Sequence, residues 1–134
     1  MNEEFFATVY NKALDIVSRR EHSEKEIKNK LLEKFYTPEL IDEIISKLIE
    51  NNLINNVRYA EMYVHVRKRK GFGPKKIKFE LMTKGIDDSI SSIAITEEGS
   101  WKEAAQKAFN KKFRNGASNE FKERNKQKSF LQNR

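Results

Sequence analysis

The stretch "SEKEIKNKLLEKFYTPELIDEIISKLIENN", residues 23–52, carries the signals of two successive α-helices. Ser23, followed three residues later by Glu26, is the capping-box pattern that begins a helix. Thr37 before Pro38 marks another start, because proline suits the first helical position and threonine suits the cap before it. Apolar residues after each start recur every three or four positions, which is the spacing of one helix face. The stretch therefore predicts two amphipathic helices joined by a short loop.

Helical spacing continues on both sides of this stretch. One helix is predicted before it, and further helices are predicted over about 57–70, over 74–85, after Asp87 or Asp88, after Ser100 and after Ser118. The apolar side chains predicted to face inward are Phe6, Val9, Tyr10, Ala13, Leu14, Val17, Ile27, Leu31, Leu32, Leu40, Ile41, Ile44, Ile45, Leu48, Ile49, Tyr59, Ala60, Tyr63, Val64, Val66, Ile77, Leu81, Met82, Ile90, Ile93, Ala94, Trp101, Ala104, Ala105, Ala108, Phe109 and Phe113.

The helical pattern repeats along the chain. A shift of 50 residues aligns Ile27 with Ile77 and Leu31 with Leu81, and a second shift aligns Leu81 with Leu131. A period of this length, with three helices in each unit, is typical of tandem helical arrays. The pattern therefore predicts an all-α fold of tandem three-helix, helix-turn-helix-like repeats in an elongated, curved array.

The repeat divides the chain into three predicted segments. Residues 1–54 form the first three-helix repeat and residues 55–98 the second, while residues 99–134 form a third repeat that lacks its last helix. Each unit is too small to bury its own apolar face well, so neighbouring units are expected to stack. An incomplete third repeat predicts an exposed apolar edge near Phe130 and Leu131.

Composition argues against an enzyme. The chain has no cysteine, which excludes disulfides and thiolate metal sites and favours the reducing cytoplasm. Its two histidines, His22 and His65, lack partners at metal-ligand spacing, and a turn or capping role is expected for His22. The amphipathic, acidic start does not resemble a signal peptide, and no apolar run is long enough to span a membrane. We therefore expect a cytoplasmic, non-enzymatic protein without metal or cofactor. We also expect it to be a monomer.

The net charge of +7 is unevenly distributed. Residues 1–57 carry 8 Lys and Arg against 11 Asp and Glu, a net charge of −3. Residues 58–84 carry a net charge of +7, residues 85–100 carry −4 and residues 101–134 carry +7. Two basic blocks of this kind favour a polyanionic partner, such as a phosphate backbone or an acidic protein surface.

The densest basic stretch is "RKRKGFGPKKIKFELMTKG", residues 67–85. Some of its cations complement the carbonyl end of the preceding helix, and a merely solvated face is the plainer interpretation. Lys75, Lys76 and Lys78, however, fall at a helix start, where positive charge is electrostatically disfavoured. That placement favours a binding function. Phe72, between two glycines, is compatible with either packing on the core or contact with a partner.

Two long segments resemble the RecX family, which regulates the bacterial recombinase RecA. They are "ALDIVSRREHSEKEIKNKLLEKF" at 13–35 and "NNVRYAEMYVHVRKRKGFGPKKIKFELMTKGI" at 55–86. The family patterns are Ser-Arg-Arg-Glu-(His/Tyr)-Ser, here at 18–23, and Arg-(Tyr/Phe)-Ala-x-x-(Tyr/Phe)-Val, here at 58–64. A basic run, a glycine turn and a (Lys/Arg)-Ile-x-x-Glu-Leu helix follow, here with the helix motif at 76–81. The chain departs from the family at 55–57, where Asn, Asn and Val replace the usual acidic residues.

The resemblance implies a non-enzymatic inhibitor in the regulation of DNA repair, homologous recombination and the SOS response. It implies binding to the RecA–DNA nucleoprotein filament, along the filament groove, with suppression of the RecA ATPase and of strand exchange. On this hypothesis, the residues predicted to contact the filament or its DNA are Arg58, Arg67, Lys68, Arg69, Lys70, Lys75, Lys76 and Lys78, followed by Arg19 and Arg20.

Two other functions fit the same charges. The first is sequence-nonspecific binding of single- or double-stranded DNA through the basic helices, because clustered cations bind phosphates without reading bases. The second is a scaffold for another acidic protein.

Overall fold

The computed structural model describes residues 3–112, which form seven α-helices and no β-strand. The helices are α1 (Glu3–Arg19), α2 (Glu24–Lys34), α3 (Pro38–Glu50), α4 (Asn56–Arg69), α5 (Pro74–Thr83), α6 (Asp88–Glu98) and α7 (Trp101–Lys112). The predicted all-α fold is confirmed. None of these seven helices has the length and apolar character needed to cross a membrane.

The predicted helix starts at Ser23 and Pro38 are confirmed, and they work differently. The Ser23 hydroxyl accepts from the Glu26 N–H at 3.1 Å, and the Glu26 carboxylate accepts from the Ser23 N–H at 3.1 Å. This is the complete capping box. Thr37 precedes Pro38 at the start of α3, but the Thr37 hydroxyl forms no cap hydrogen bond. The start of α3 therefore depends on the proline, whose fixed φ suits the first helical position.

The helices divide into two units. The first extends to Tyr59, within α4, and also includes Lys84–Ile86, whereas the second contains Ala60–Thr83 and the described residues from 87 to 112. In the first unit, α1, α2 and α3 enclose a core of aliphatic side chains. Its fully buried members include Val9, Ala13, Ile27, Leu31, Leu40, Ile41, Ile44, Leu48 and Ile54.

In the second unit, the buried apolar side chains are few and small for its length. They are Ala60, Val64, Ile77, Leu81 and Ala94. No side chain of α7 is buried. Because this core is thin, the polar contacts described below help to hold the helices of the unit together.

Four residues predicted to face inward are exposed instead: Ile49, Val66, Met82 and Ile93. Ile49, Met82 and Ile93 each adjoin a buried residue in sequence, and Val66 lies two residues after the buried Val64. Successive helical residues turn by about 100°, so Met82 points well away from Leu81. The apolar pattern in the sequence therefore predicted a wider buried face than these short helices have.

Some expectations lie outside the described residues. They concern Phe113, the helix after Ser118, and the apolar edge near Phe130 and Leu131. The bounds of the three repeats, the missing last helix and the elongated, curved array remain predictions.

A polar network in the first unit joins the start of α2 to two later segments. The Ser23 hydroxyl donates to the Lys84 carbonyl oxygen at 2.7 Å. The Asn56 side chain accepts from the Glu24 backbone N–H at 3.0 Å and donates to the Glu24 carboxylate at 3.1 Å.

Gly85 has a positive φ of +79°, and a Cβ built on it would lie 2.7 Å from the Lys25 Cβ. Glycine is therefore required at position 85 by both conformation and space.

We predict that Gly85→Ala lowers the free energy of unfolding by about 2 kcal/mol or more, from left-handed strain plus crowding. Urea unfolding followed by circular dichroism measures the change. In a Lys25→Gly background the crowding is absent, so the same substitution should cost only the strain, about 1–2 kcal/mol. Equal costs in the two backgrounds would contradict the contact.

Candidate polyanion-binding surface

The cations of residues 67–78 flank the turn between α4 and α5. Helix α4 ends with hydrogen bonds from the Phe72 N–H to the Arg67 carbonyl, at 3.1 Å, and from the Gly71 N–H to the Lys68 carbonyl, at 2.9 Å. Gly71 has φ +94°, so this is a Schellman-type end that needs glycine. The Ile77 N–H bonds to the Gly73 carbonyl at 3.1 Å and begins α5. The turn thus places the last turn of α4 beside the first turn of α5.

Arg67 is engaged within this corner. Its guanidinium donates from Nε and Nη2 to the two Glu80 carboxylate oxygens at 3.0 and 2.9 Å. It also stacks on the Phe72 ring, with its Cζ 3.8 Å from the ring centroid. The two side chains of the ion pair are only 22% and 21% exposed. Arg67 therefore holds α4 to α5 through a planar, bidentate pair, the geometry in which arginine exceeds lysine.

Lys68 is the most deeply enclosed of the four consecutive cations. Its ammonium donates to the Gly99 carbonyl oxygen at 2.7 Å, lies 3.9 Å from the Glu98 carboxylate and 5.4 Å from the Trp101 ring centroid. Its side chain is 16% exposed. Lys68 therefore supports the connection between α6 and α7 and offers little charge to a partner.

The remaining cations around the turn face solvent. Arg69, Lys70 and Lys75 are exposed and form no ion pair with any residue between 3 and 112, and exposed Lys76 lies 5.2 Å from the Phe72 ring centroid. Lys78 is partly buried and pairs with Asp88 at 3.1 Å, a carboxylate that is itself 80% exposed. The exposed cations Arg69, Lys70, Lys75 and Lys76 are hereafter called the corner cations.

Phe72 is neither buried in the core nor fully open. It has intermediate exposure, and both the Arg67 guanidinium, at 3.8 Å, and the Lys76 ammonium, at 5.2 Å, lie over its ring. Cations over an aromatic face are stabilised by the ring quadrupole. Phe72 thus orients charged groups at the turn, a role that neither of the two sequence-based interpretations contained.

Arg58 lies in the first unit and is bound by that unit. Its Nε donates to both oxygens of the Glu21 carboxylate at 2.9 Å, and its Nη1 donates to the Asn52 carbonyl oxygen at 3.1 Å. These contacts fix the loop after α3 to the loop before α2. The periodicity of α4 could not reveal them, since Glu21 is 37 residues away in sequence.

Arg19 and Arg20 border a concavity of about 300 Å³ in the first unit. Arg19 is exposed and pairs with Asp15 at 3.1 Å. Arg20 pairs with the Glu26 carboxylate at 3.3 Å. Burial alone would raise the pKa of Glu26, but hydrogen bonds from Arg20 and from the Ser23 N–H outweigh it and hold that pKa below its usual value. Arg20 thereby stabilises the capping box.

The same concavity is lined by two residues that sequence analysis did not single out, Lys12 and Lys30. The Lys30 ammonium lies 2.9 Å from His22 Nε2, and His22 Nδ1 lies 2.9 Å from the Arg20 carbonyl oxygen. Because that carbonyl can only accept, Nδ1 carries the proton and Nε2 accepts from Lys30. Burial, with the nearby positive charges, lowers the pKa of His22. The geometry thus gives His22 the turn role expected for it.

No group of three or more His, Cys, Asp or Glu side chains between residues 3 and 112 is arranged to hold a metal ion. His65, in the second unit, contacts the Glu98 carboxylate through Nδ1 at 2.8 Å.

Comparison with known proteins gives consistent matches. Family models described as "RecX, first three-helix domain" and "RecX, second three-helix domain" match residues 10–48 and 55–95. "Regulatory protein RecX" of Pseudomonas tolaasii is 35% identical over 120 residues, covering 89% of this chain and 77% of the relative. The protein of that name from Legionella pneumophila (strain Corby) is 34% identical over 123 residues, covering 91% and 82%.

Solved structures agree with these matches. The crystal structure of RecX from Lactobacillus salivarius aligns with a TM-score of 0.66 at 27% identity, over 98% of this chain and 99% of that chain. A crystal structure of regulatory protein RecX aligns with a TM-score of 0.73 at 26% identity, over 95% of this chain and 63% of that chain. The resemblance found in the sequence is confirmed.

We predict that Arg67→Ala lowers the free energy of unfolding by about 1–3 kcal/mol, because it removes two charge-assisted hydrogen bonds. Arg67→Lys should recover little of the loss, since an ammonium forms neither the bidentate pair nor the flat stack. Urea unfolding measures both variants. Lys75→Ala is the matched control and should change stability by no more than about 0.5 kcal/mol. Equal stability of the Arg67→Ala and Lys75→Ala variants would refute the assigned role.

A second prediction concerns pH. The folded pKa of His22 lies below its ordinary value of 6.5, so the unfolded chain binds more protons there. This contribution to stability is complete above about pH 6.5 and is lost as the pH falls towards the folded pKa. The melting temperature should therefore fall between about pH 7.5 and about pH 5.5, and less steeply in His22→Gln. Parallel pH profiles for the two proteins would count against it.

Proposed function

The chain belongs to the RecX family of regulatory proteins, and from that membership we propose that it regulates RecA without catalysis. It binds the nucleoprotein filament that RecA forms on DNA and suppresses the ATPase activity and strand exchange of that filament. The observation that supports the proposal is the group of corner cations. They lie on both sides of the turn between α4 and α5, at the end of α4 and in the first turn of α5. No ion pair within residues 3–112 neutralises them.

A filament on DNA suits such a surface. It is a long polyanion enclosed by protein, so it attracts a positively charged protein surface through long-range electrostatics. Individual contacts made by small helical units are weak, but linked contacts add through effective concentration. We therefore propose that the corner cations attract the protein to the filament groove and contact phosphates or acidic side chains there.

Inhibition then requires no catalytic group. A ligand shifts a conformational equilibrium towards the state that it binds more tightly. Binding across several RecA subunits would favour one filament conformation and hinder the rearrangements that accompany ATP hydrolysis and strand pairing. We propose that the protein acts in this way in the cytoplasm, as a monomer, in the control of DNA repair and the SOS response.

The second candidate function is sequence-nonspecific DNA binding. It is favoured by the position of Lys75 and Lys76 in the first turn of α5, where unpaired backbone N–H groups add positive potential. Contacts to phosphates alone would give a steep salt dependence and little preference among sequences. Binding to naked DNA as tight as binding to RecA filaments would favour this candidate.

The proposal predicts that replacing the four corner cations together by Gln weakens inhibition of the DNA-dependent RecA ATPase by about tenfold or more. The salt dependence should also become shallower, because each phosphate that the variant no longer binds reduces the slope by up to about one unit. The measurement is the ATPase rate with the protein titrated in at several salt concentrations.

The matched control replaces four lysines of α7 by Gln, because all four are exposed cations in the same unit: Lys102, Lys107, Lys111 and Lys112. It should inhibit almost as the parent does. If the corner variant inhibits like the parent at every salt concentration, these cations are not the contact surface. If the parent does not inhibit at all, the proposed function is wrong.

A further inference from the structure

The outer face of α5 exposes two large apolar side chains beside the corner cations. Phe79 is 62% exposed and Met82 is 60% exposed. They are three residues apart, so they lie on one side of the helix. Exposing an aromatic ring to water is unfavourable, although single exposed apolar residues are common on protein surfaces. An adjacent exposed pair beside several cations instead indicates a contact surface.

The unpaired charges that α5 itself places around this pair are positive, while neighbouring Lys78 pairs with Asp88 of α6 at 3.1 Å. Lys75 and Lys76 lie in the first turn of α5, one helical turn before Phe79, and both are exposed. The one carboxylate of α5, that of Glu80, is turned to Arg67 and held there by two hydrogen bonds. The outer face therefore combines an aromatic ring, a flexible thioether and two cations without a negative group of its own helix.

We propose that this face binds single-stranded nucleic acid, with an unpaired base stacked on Phe79 and the adjoining phosphates held by Lys75 and Lys76. Aromatic rings beside a cationic track are the usual means of binding unpaired strands without reading sequence, because every base has a stacking face. Bases within a duplex are already stacked on one another and cannot use an exposed ring in this way.

Backbone groups of α5 add to the site. The first-turn N–H groups of Lys75 and Lys76 have no helical acceptor, and the positive end of the helix dipole lies beside them. Pro74 supplies no N–H, so these two amides are the first donors that a phosphate would meet. About 5.4 Å, one helical turn, separates this end from the ring, which is within the span of one nucleotide.

This inference rests on the proposed function only for the source of the strand, the DNA inside a RecA filament. It is tested without RecA, by fluorescence anisotropy of a labelled oligothymidylate titrated with the full chain. Phe79→Leu keeps an apolar side chain but removes the stacking face, and it should weaken binding by about fivefold or more. Phe79→Trp should bind as tightly as the parent or more tightly.

Two controls distinguish stacking from other contacts. Tyr36→Leu removes an aromatic ring that is 89% exposed in the first unit, and it should leave the affinity unchanged. An abasic oligonucleotide of equal length should bind the parent more weakly, and Phe79→Leu should cause no further loss with that probe. Circular dichroism verifies that each variant is folded, which is expected because Phe79 is mostly exposed.

Several outcomes would overturn the inference. These are equal oligothymidylate binding by Phe79→Leu and the parent, an equal loss on the abasic probe, or no binding by the parent. If Phe79→Leu impairs RecA inhibition but not oligonucleotide binding, the face contacts protein; this inference then fails while the proposed function stands. If stacking is found but RecA is not inhibited, the proposed function fails and the binding site remains.

Discussion

The first unit depends on one buried hydroxyl group, that of Ser23. It accepts a hydrogen bond from the Glu26 N–H, which begins α2, and it donates to the Lys84 carbonyl, which holds a segment 61 residues away. Because Ser23 is fully buried, both partners would be left without hydrogen bonds if the hydroxyl were removed. The capping carboxylate of Glu26 extends the network to Arg20 and lies 3.8 Å from the Lys84 ammonium. A local helix cap thus also acts as a tertiary contact.

This network changes how the family motifs are understood. The run at 18–23, the arginine at 58 and the Lys-Gly-Ile segment at 84–86 all contribute to one set of contacts in the first unit. Arg58, Arg67 and Lys68, which charge alone would assign to a partner, form hydrogen bonds within their own units. The basic block therefore serves two purposes: some cations fix the fold, and the corner cations remain available for binding.

Local patterns in the sequence predicted the local structure well. The cap at Ser23, the first-turn proline at 38, glycine turns and apolar spacing are properties of neighbouring residues, and they located all seven described helices. The depth of burial was predicted less well, because it depends on which side of a helix meets another helix. Met82 and Ile93 satisfied the spacing but lie outside the packed stripe.

The candidate site shows the same limit. Composition located the basic corner, yet it could not separate engaged cations from exposed ones, because the partners of Arg67 and Lys68 lie 13 and 31 residues away. The exposure of Phe79 was likewise hidden, since an aromatic residue next to the stripe of a helix is as compatible with packing as with solvent.

The solvent exposure of the corner lysines has a practical consequence for labelling. Amine-reactive dyes would acylate Lys70, Lys75 and Lys76 and remove their charge, while Lys68 is shielded by its contacts near Gly99. A protein labelled in this way would lose the charges on which the proposed binding depends. Because the chain has no cysteine, a thiol introduced at an open position such as Tyr36 would take a maleimide dye at one known place.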